Sequence, residues 1–497
     1  MKNQKYFFSL CLCITTYIVT FCALKFRLFD TLKMGLRDLS IFDQAIWNLF
    51  NDGSLYSSIL EKNILGEHAF FIMFLIAPFY LMYFGPKTLL FLESFFIALG
   101  ALPVYFLASS EFQKKSIGLL FAVSYLLFPS TGFLNLDEVI YGFHPSSLLP
   151  VLYLSMFFFL VKRCKITFIV LTLIALSVKE DTSLTICLIG IYGIIFLKEI
   201  RLGFATVLIG ILWFFSATVL IIPYFNDGPS KFFSNYSYLG NSLWEIIKIF
   251  LFHPLYVFSL LRENGLFIYS FVLLAPFAFF SLFNPEILLM WFPALLCNLL
   301  TDPKEYLVPH DYVSWHIAPI IPFIVISSIY GVKRIRGVLI MILKGMKGNL
   351  SNLLYFSPIA LMLFTVTIAH LFYGVTPLSL SFWDINIYPL TKYPFCSECF
   401  KSKIYHQTGR EHLLSEIKKI LPVDASLSAT FYMGSHFAHR KEIYWFPQYA
   451  NETGYVLLDS LRAINQDDVN NFINRKSENY KLVYCKDYIS LYKKSIK

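Results

Sequence analysis

The chain has 497 residues, of which 57% are hydrophobic and only 15% charged, with 53 Phe and 31 Tyr. That is more apolar surface than one water-soluble core needs, so a polytopic α-helical membrane protein is expected. The net charge of +9 does not point to nucleic acid, because the basic residues fall in short clusters between apolar runs, as orientation signals do.

The first run, "MKNQKYFFSLCLCITTYIVTFCAL", has a basic start, but its apolar part is of spanning length and lacks a small-residue cleavage site. It is read as the first crossing rather than as a removable signal. Apolar length gives about eleven crossings, at about 6–26, 88–110, 116–134, 146–161, 166–178, 183–197, 203–222, 266–283, 286–301, 316–332 and 353–373. "HAFFIMFLIAPFYLMYF", His68 to Phe84, is apolar but short and interrupted by Pro78. Counting it as a crossing would put the clusters at 113–115, 162–165 and 198–201 outside, so it is read as an interfacial or re-entrant helix. With the N-terminus inside, these clusters and the one at 331–348 face the cytoplasm. The first outer loop (27–87), the loop 223–265, the segments 135–145 and 302–315 and the C-terminal tail then face outward.

Residues 1–375 are thus expected to form the multi-spanning domain and 376–497 a small extracytoplasmic α/β domain, its folded part roughly ninety residues. In the latter, "TGREHLLSEIKKI" reads as a helix, "ASLSAT", "EIYWF", "GYVLLD" and "NYKLVYCKD" as strands, and "NQDDVNNFINRK" as a helix between the last two. Six of the nine cysteines, Cys11, Cys13, Cys22, Cys164, Cys187 and Cys297, lie in or beside apolar runs, where a thiol acts as a small hydrophobe. Cys396, Cys399, His406 and His412 look like a metal box, but their spacing fits no strong zinc pattern and an external disulfide suits Cys396 and Cys399 at least as well. No metal is assigned, and the sequence identifies no cofactor.

The unusual polar residues fall on the outer side. "GLRDLSIFDQAIWNLF" carries Asp38 and Asp43, five helical residues or about 140° apart, so the two carboxylates do not share one face. Asp38 also suits an N-cap. Glu67 and His68 open the interfacial helix, where a carboxylate also complements the helix dipole. "LDEVIYGFHPSSLLP" supplies Asp137, Glu138 and His144. In "LSVKEDTSLT" three charges, Lys179, Glu180 and Asp181, stand between short apolar runs; residues 166–178 rise only about 20 Å against a hydrocarbon core of about 30 Å. They are therefore expected in a recess below the outer surface, where charges face a watery cavity. "PHDYVSWHIAPIIP" adds His310, Asp311, Trp315 and His316, with His316 the better candidate.

"DLSIFDQAIWN", "LGEHAFF", "GFHPSSL", "LSVKEDTSL", "WHIAPIIPFIVISSIYG" and "LPVDASLSATFYMGSHFAHRKEIYWFP" come in the order and spacing of a bacterial and archaeal membrane family catalogued as a domain of unknown function, number two-zero-seven-nine. That family resembles the C-type (GT-C) glycosyltransferases, which take a sugar from a polyprenyl-phosphate donor on the outer membrane face and carry an active-site acid in the first outer loop. The resemblance implies a GT-C-like fold and makes Asp38 the catalytic position. Departures are Glu67 where the family favours Asp, Ala69 where it favours Phe, and Gly142 where it favours an acid.

The function expected is transfer of a sugar from a polyprenyl phosphate to a lipid, glycan or protein acceptor at the outer face of the cytoplasmic membrane. Asp38 serves as general base, and Asp43 is the secondary candidate. Glu67, His68, His144, Lys179, Glu180, Asp181 and His316 bind donor phosphate or acceptor, with Lys179, His144 and His316 suited to the departing phosphate. A transporter or lipid flippase would use the same charges as a substrate path; an inverted repeat would favour it, and none is found. An inactive scaffold is the third class. The topology has a direct check: single cysteines at 480 and 340 should be respectively open to and protected from an impermeant thiol reagent in intact cells. A protected tail together with external access at 115 would overturn it.

Overall fold

The computed structural model describes all residues except 1, 137–138, 227, 229–234, 241, 303, 305–309, 311, 343–348, 384–399, 476–478 and 496–497. Asp137, Glu138, Asp311, Cys396 and Cys399 therefore lie outside the described residues. The chain is mostly helical. It begins with α1 (Lys2–Asp30), an apolar helix about 44 Å long at 1.5 Å per residue, more than a bilayer core requires.

Among the described residues four helices are long and apolar enough to cross a membrane, Gln4–Asp30, Lys87–Phe112, Ile200–Asn226 and Phe356–Tyr373. Two bent pairs raise this to six: Lys115–Leu127 with Pro129–Leu136, and Trp244–Phe252 with Pro254–Glu263. The second pair, bent by 96°, lies inside 223–265, expected to be a loop. Six other expected crossings correspond to shorter apolar helices such as Pro145–Val161, Lys165–Leu176 and Thr182–Ile195, or to Ile321–Ile342, which carries Lys333, Arg334 and Arg336 in its second half. The Ile72–Leu81 stretch is ten residues of α- then 3₁₀-helix, about 15 Å, too short to cross. Pro78 contributes no N–H at that change of pitch.

Small residues let neighbouring helices touch. A Cβ on Gly190 would lie 2.8 Å from the Gly203 carbonyl oxygen, and one on Gly203 would lie 2.5 Å from that of Gly190, so helices Thr182–Ile195 and Ile200–Phe215 meet backbone to backbone. The basic clusters gather at one end of the bundle. Lys333 pairs with Glu111 at 2.7 Å, Lys162 donates to Ser110, and Arg163 and Lys165 reach Glu199 at 3.3 and 3.0 Å.

Past the other end of α1 the chain enters α2 (Asp38–Asp52) and a two-residue hairpin, β1 (Tyr56–Ser57) and β2 (Lys62–Asn63). The C-terminal residues build a mixed sheet from β3 (Leu427–Ala429), β4 (Ile443–Trp445), β5 (Tyr455–Asp459), β6 (Tyr480–Lys486) and β7 (Ile489–Lys494), in the order β4-β3-β5-β7-β6. β3 runs parallel to both its neighbours, and β7 antiparallel to β5 and β6. β7 is absent from the expected strands. Its turn uses Asp487 and Tyr488 at positive φ, 48° and 65°, instead of the glycine or asparagine that marks a two-residue hairpin.

This sheet does not stand apart from the first outer loop. Leu32 and Leu36 join its core beside Leu427, Phe431 and Leu457, and the Leu36 amide donates to the Phe431 carbonyl at 2.9 Å. Gln44 is fully buried at the junction. Its Nε2 donates to Ser58 Oγ (2.9 Å) and the Arg440 carbonyl (2.8 Å), and its Oε1 accepts from Ser57 Oγ (2.8 Å) and the Ser58 amide (3.0 Å). Gln44→Leu keeps the volume but strands these partners, so it should destabilise the fold by about 2–4 kcal/mol and open the Arg440 region to limited proteolysis. Thermal unfolding and digestion indistinguishable from wild type would show that the junction is held elsewhere.

Candidate functional site

A cavity of about 410 Å³ opens where the segment that follows α1 meets the ends of the apolar helices. Its lining includes Asp38, Glu67, His68, His144, Lys179, Asp181 and His316. Glu180 stands behind the wall: its carboxylate takes His68 Nδ1 at 2.7 Å and the Ala69 amide at 3.2 Å, and so holds the start of the short apolar helix against the 177–181 turn. The Ile72 amide adds a bond to the Ser177 carbonyl at 2.7 Å. Asp43 lies outside the cavity. It is buried, accepts from Tyr80 Oη at 2.8 Å and pairs with His439 Nε2 at 3.0 Å. His310 is turned to the Thr301 carbonyl at 2.8 Å.

Asp38 is the first helical residue of α2, while Arg37 holds the N-cap position without a side-chain capping bond. The Asp38 carboxylate is therefore not spent on a cap, and among the described residues no hydrogen bond engages it. Removal from bulk water pushes its carboxyl up to about 7; Arg37 opposes the shift, and Glu67 and Glu93 add to it. The positive end of α2 favours the anion, but desolvation outweighs it.

The same cavity is lined by an aromatic stack. Trp315 lies between His144 and His316, each ring centroid 3.6 Å away, and Lys179 Nζ sits 5.1 Å over the indole. Lys179 also pairs with Asp181 at 3.2 Å. His144 Nδ1 accepts from the Ser146 amide at 3.1 Å, which places the proton of the neutral ring on Nε2 and makes that atom a donor. Burial holds this imidazole well below its ordinary value, Lys179 adding to the effect, so it stays neutral. Phe42 and Phe70 close on the same ring edge to face, with centroids 5.9 and 5.7 Å away. His316 Nδ1 meets Ser314 Oγ at 2.9 Å, and Asn298 Nδ2 donates to the His316 carbonyl at 3.0 Å.

A buried ion pair, Lys25 with Glu93, supports this wall, since Glu93 also accepts from the His144 amide at 3.4 Å. Sequence reading passed over both residues because they fall inside runs counted as crossings. The signal was available: a charge within an apolar run is functional until shown otherwise. Arg37, Asn298 and Tyr236, which also line the cavity, carried no comparable signal. Among the described residues no group of three or more His, Cys, Asp or Glu is placed to hold a metal ion.

Several apolar helices, some of them broken, make this a multi-pass membrane protein, and its fold is similar to that of a solved GT-C protein. The comparison behind that statement is with the crystal structure of ArnT from Cupriavidus metallidurans bound to undecaprenyl phosphate, at a TM-score of 0.52 and 11% identity, covering 96% of this chain and 98% of that one. The chain itself belongs to the family described as predicted membrane protein DUF2079, which matches residues 28–491. No curated protein matches it.

The raised Asp38 carboxyl has a consequence for stability that is independent of any reaction. The folded chain holds this proton more tightly than the unfolded chain, whose carboxyl titrates near 3.8, so the contribution is complete below about pH 4 and is lost as the pH rises through about 7. Asp38→Asn should therefore gain melting temperature relative to wild type across that interval and keep the gain above it. Parallel melting curves for the two proteins from pH 4 to 8 would exclude the shift.

Proposed function

We propose that this chain is a glycosyltransferase of the cytoplasmic membrane that moves a sugar from a polyprenyl-phosphate donor to an acceptor hydroxyl on the outer face. The observation that carries the reading is the unbonded Asp38 carboxylate, its carboxyl pushed up to about 7, lining one cavity together with Lys179 and the His144 donor. Likeness of fold to a protein crystallised with undecaprenyl phosphate supports the donor class. The placement of the basic clusters at one end of the bundle, with the cavity past the other, supports an inside N-terminus and an outside C-terminal sheet.

In this reaction Asp38 takes the proton of the acceptor hydroxyl as its oxygen bonds to the anomeric carbon of the donor sugar. The bond from that carbon to the phosphate oxygen breaks, and its electron pair leaves on the lipid phosphate. Lys179 meets the added negative charge as a cation and His144 Nε2–H as a donor, both in a site already short of water, where such contacts act strongly. Glu180 orients His68 at the entrance, and Glu67, Asp181 and His316 complete the polar lining. Asp43 fixes α2 through Tyr80 and His439 rather than facing the reaction. An isoprenoid tail stays in the bilayer while its sugar phosphate reaches the interface, which is why a reacting carboxylate belongs just past the first crossing.

The decisive experiment compares lipid-linked sugars and surface glycans in deletion and complemented cells: donor should accumulate and one glycan should lose a sugar. Unchanged pools and glycans would remove the support for an enzyme. With purified protein, Asp38→Asn should lower transfer by about 10² to 10⁴ with folding retained, and Asp43→Asn should do less. Wild-type transfer should rise with pH through about 7, because only the deprotonated Asp38 accepts a proton. Full activity in Asp38→Asn would assign the base elsewhere.

A further inference from the structure

A second cavity, of about 240 Å³, opens in the C-terminal sheet between the end of β4 and the helix Gln466–Arg475. Phe431 and Trp445 form an aromatic wall, their ring centroids 5.0 Å apart. Gln448, Asn465 and Asp468 supply the polar lining, and Asn465 Nδ2 donates to the Asp468 carboxylate at 2.6 Å. Among the described residues no hydrogen bond engages the Gln448 side-chain amide, which can both donate and accept.

This cavity adjoins the first through a single contact. The Arg37 guanidinium lies 5.2 Å over the Trp445 ring on one side and lines the Asp38 cavity on the other. Arg37 and Asp38 are chain neighbours, their Cα atoms about 3.8 Å apart. Arg37 thus stands between the Trp445 pocket and the Asp38 cavity.

We propose that the pocket is a saccharide subsite that holds one sugar ring of a glycan acceptor, a reading that rests on the transferase function above. A sugar ring has an apolar C–H face and a rim of hydroxyls that donate and accept. The aromatic wall suits the first, and an amide with a carboxylate suits the second. Asp468 repels phosphate and other anions, and three polar side chains disfavour a lipid tail. The acceptor is thus a saccharide whose next ring presents its hydroxyl to Asp38.

The test uses the full-length protein in detergent micelles on an array of bacterial surface oligosaccharides, with a peptide array beside it. Wild type should retain a glycan, and Asp468→Asn and Gln448→Ala, which leave the Arg37 contact in place, should cut retention by about tenfold, the effect of one hydrogen bond to a charged or polar partner. Trp445→Ala should do the same provided its melting curve matches wild type. In transfer assays the two polar variants should raise KM for the acceptor and keep kcat. No retained glycan, retention of peptides instead, or equal retention by the variants would overturn the subsite. Unchanged lipid-linked sugar pools in deletion cells would sink the transferase reading alone and leave glycan retention standing, so the two failures are distinguishable.

Discussion

The clamp on the segment that follows α1 governs the rest of the molecule. Gln44 is fully buried, and its hydrogen bonds tie α2 at once to the hairpin that follows it and to the Arg440 segment of the C-terminal sheet. Ser58 doubles the connection, donating to the Ile443 carbonyl and accepting from the Ile443 amide, each at 2.8 Å. Buried polar groups of this kind specify one register because every alternative leaves some of them unpaired. The polar residues Asp43, Gln44 and Asn48 are all buried in α2, so the rotation of this helix is set by hydrogen bonding as much as by apolar packing. Once that rotation is fixed, Asp38 can face only the cavity.

The membrane side repeats the logic with charges. Lys25 and Glu93 have no exposed surface, and His68 and Glu180 meet against the turn that carries Lys179. Buried ion pairs are poor devices for stability, because desolvation offsets most of their attraction. What they do supply here is position. Glu93 receives the His144 backbone and Glu180 receives the Ala69 backbone, so each pair anchors a segment of cavity wall. The aromatic stack His144–Trp315–His316 lines the same cavity, and its Trp315 ring also attracts the Lys179 ammonium.

An uneven electrostatic field results. The Asp38 carboxylate is poorly solvated and reluctant to carry charge, while Lys179 and the oriented imidazole line the same cavity. A site of this form suits a step in which a proton arrives at one side as negative charge develops at the other, and it does so without moving the scaffold. The same poor solvation makes Asp38 a liability to the folded state at higher pH.

The sequence by itself determined the class of protein, the apolar runs, the single-ended basic clusters and the short flanking runs of the Lys179–Asp181 turn, because length, composition and periodicity are local properties. It also separated Asp38 from Asp43 in direction, since 3.6 residues per turn is fixed by the backbone. Which of the two faces the cavity was not legible: that depends on Tyr80, on His439 and on the bonds of Gln44 to a carbonyl 396 residues away. Nor could spacing place Glu180 on His68, 112 residues distant, or Glu93 under His144. β7 escaped because its turn uses Asp487 and Tyr488 in a conformation usually left to glycine or asparagine. Burial, proton affinity and the meeting of distant charges were decided only by the tertiary structure, because each is set by what surrounds a side chain in space, and in this chain those surroundings come from segments far apart in sequence.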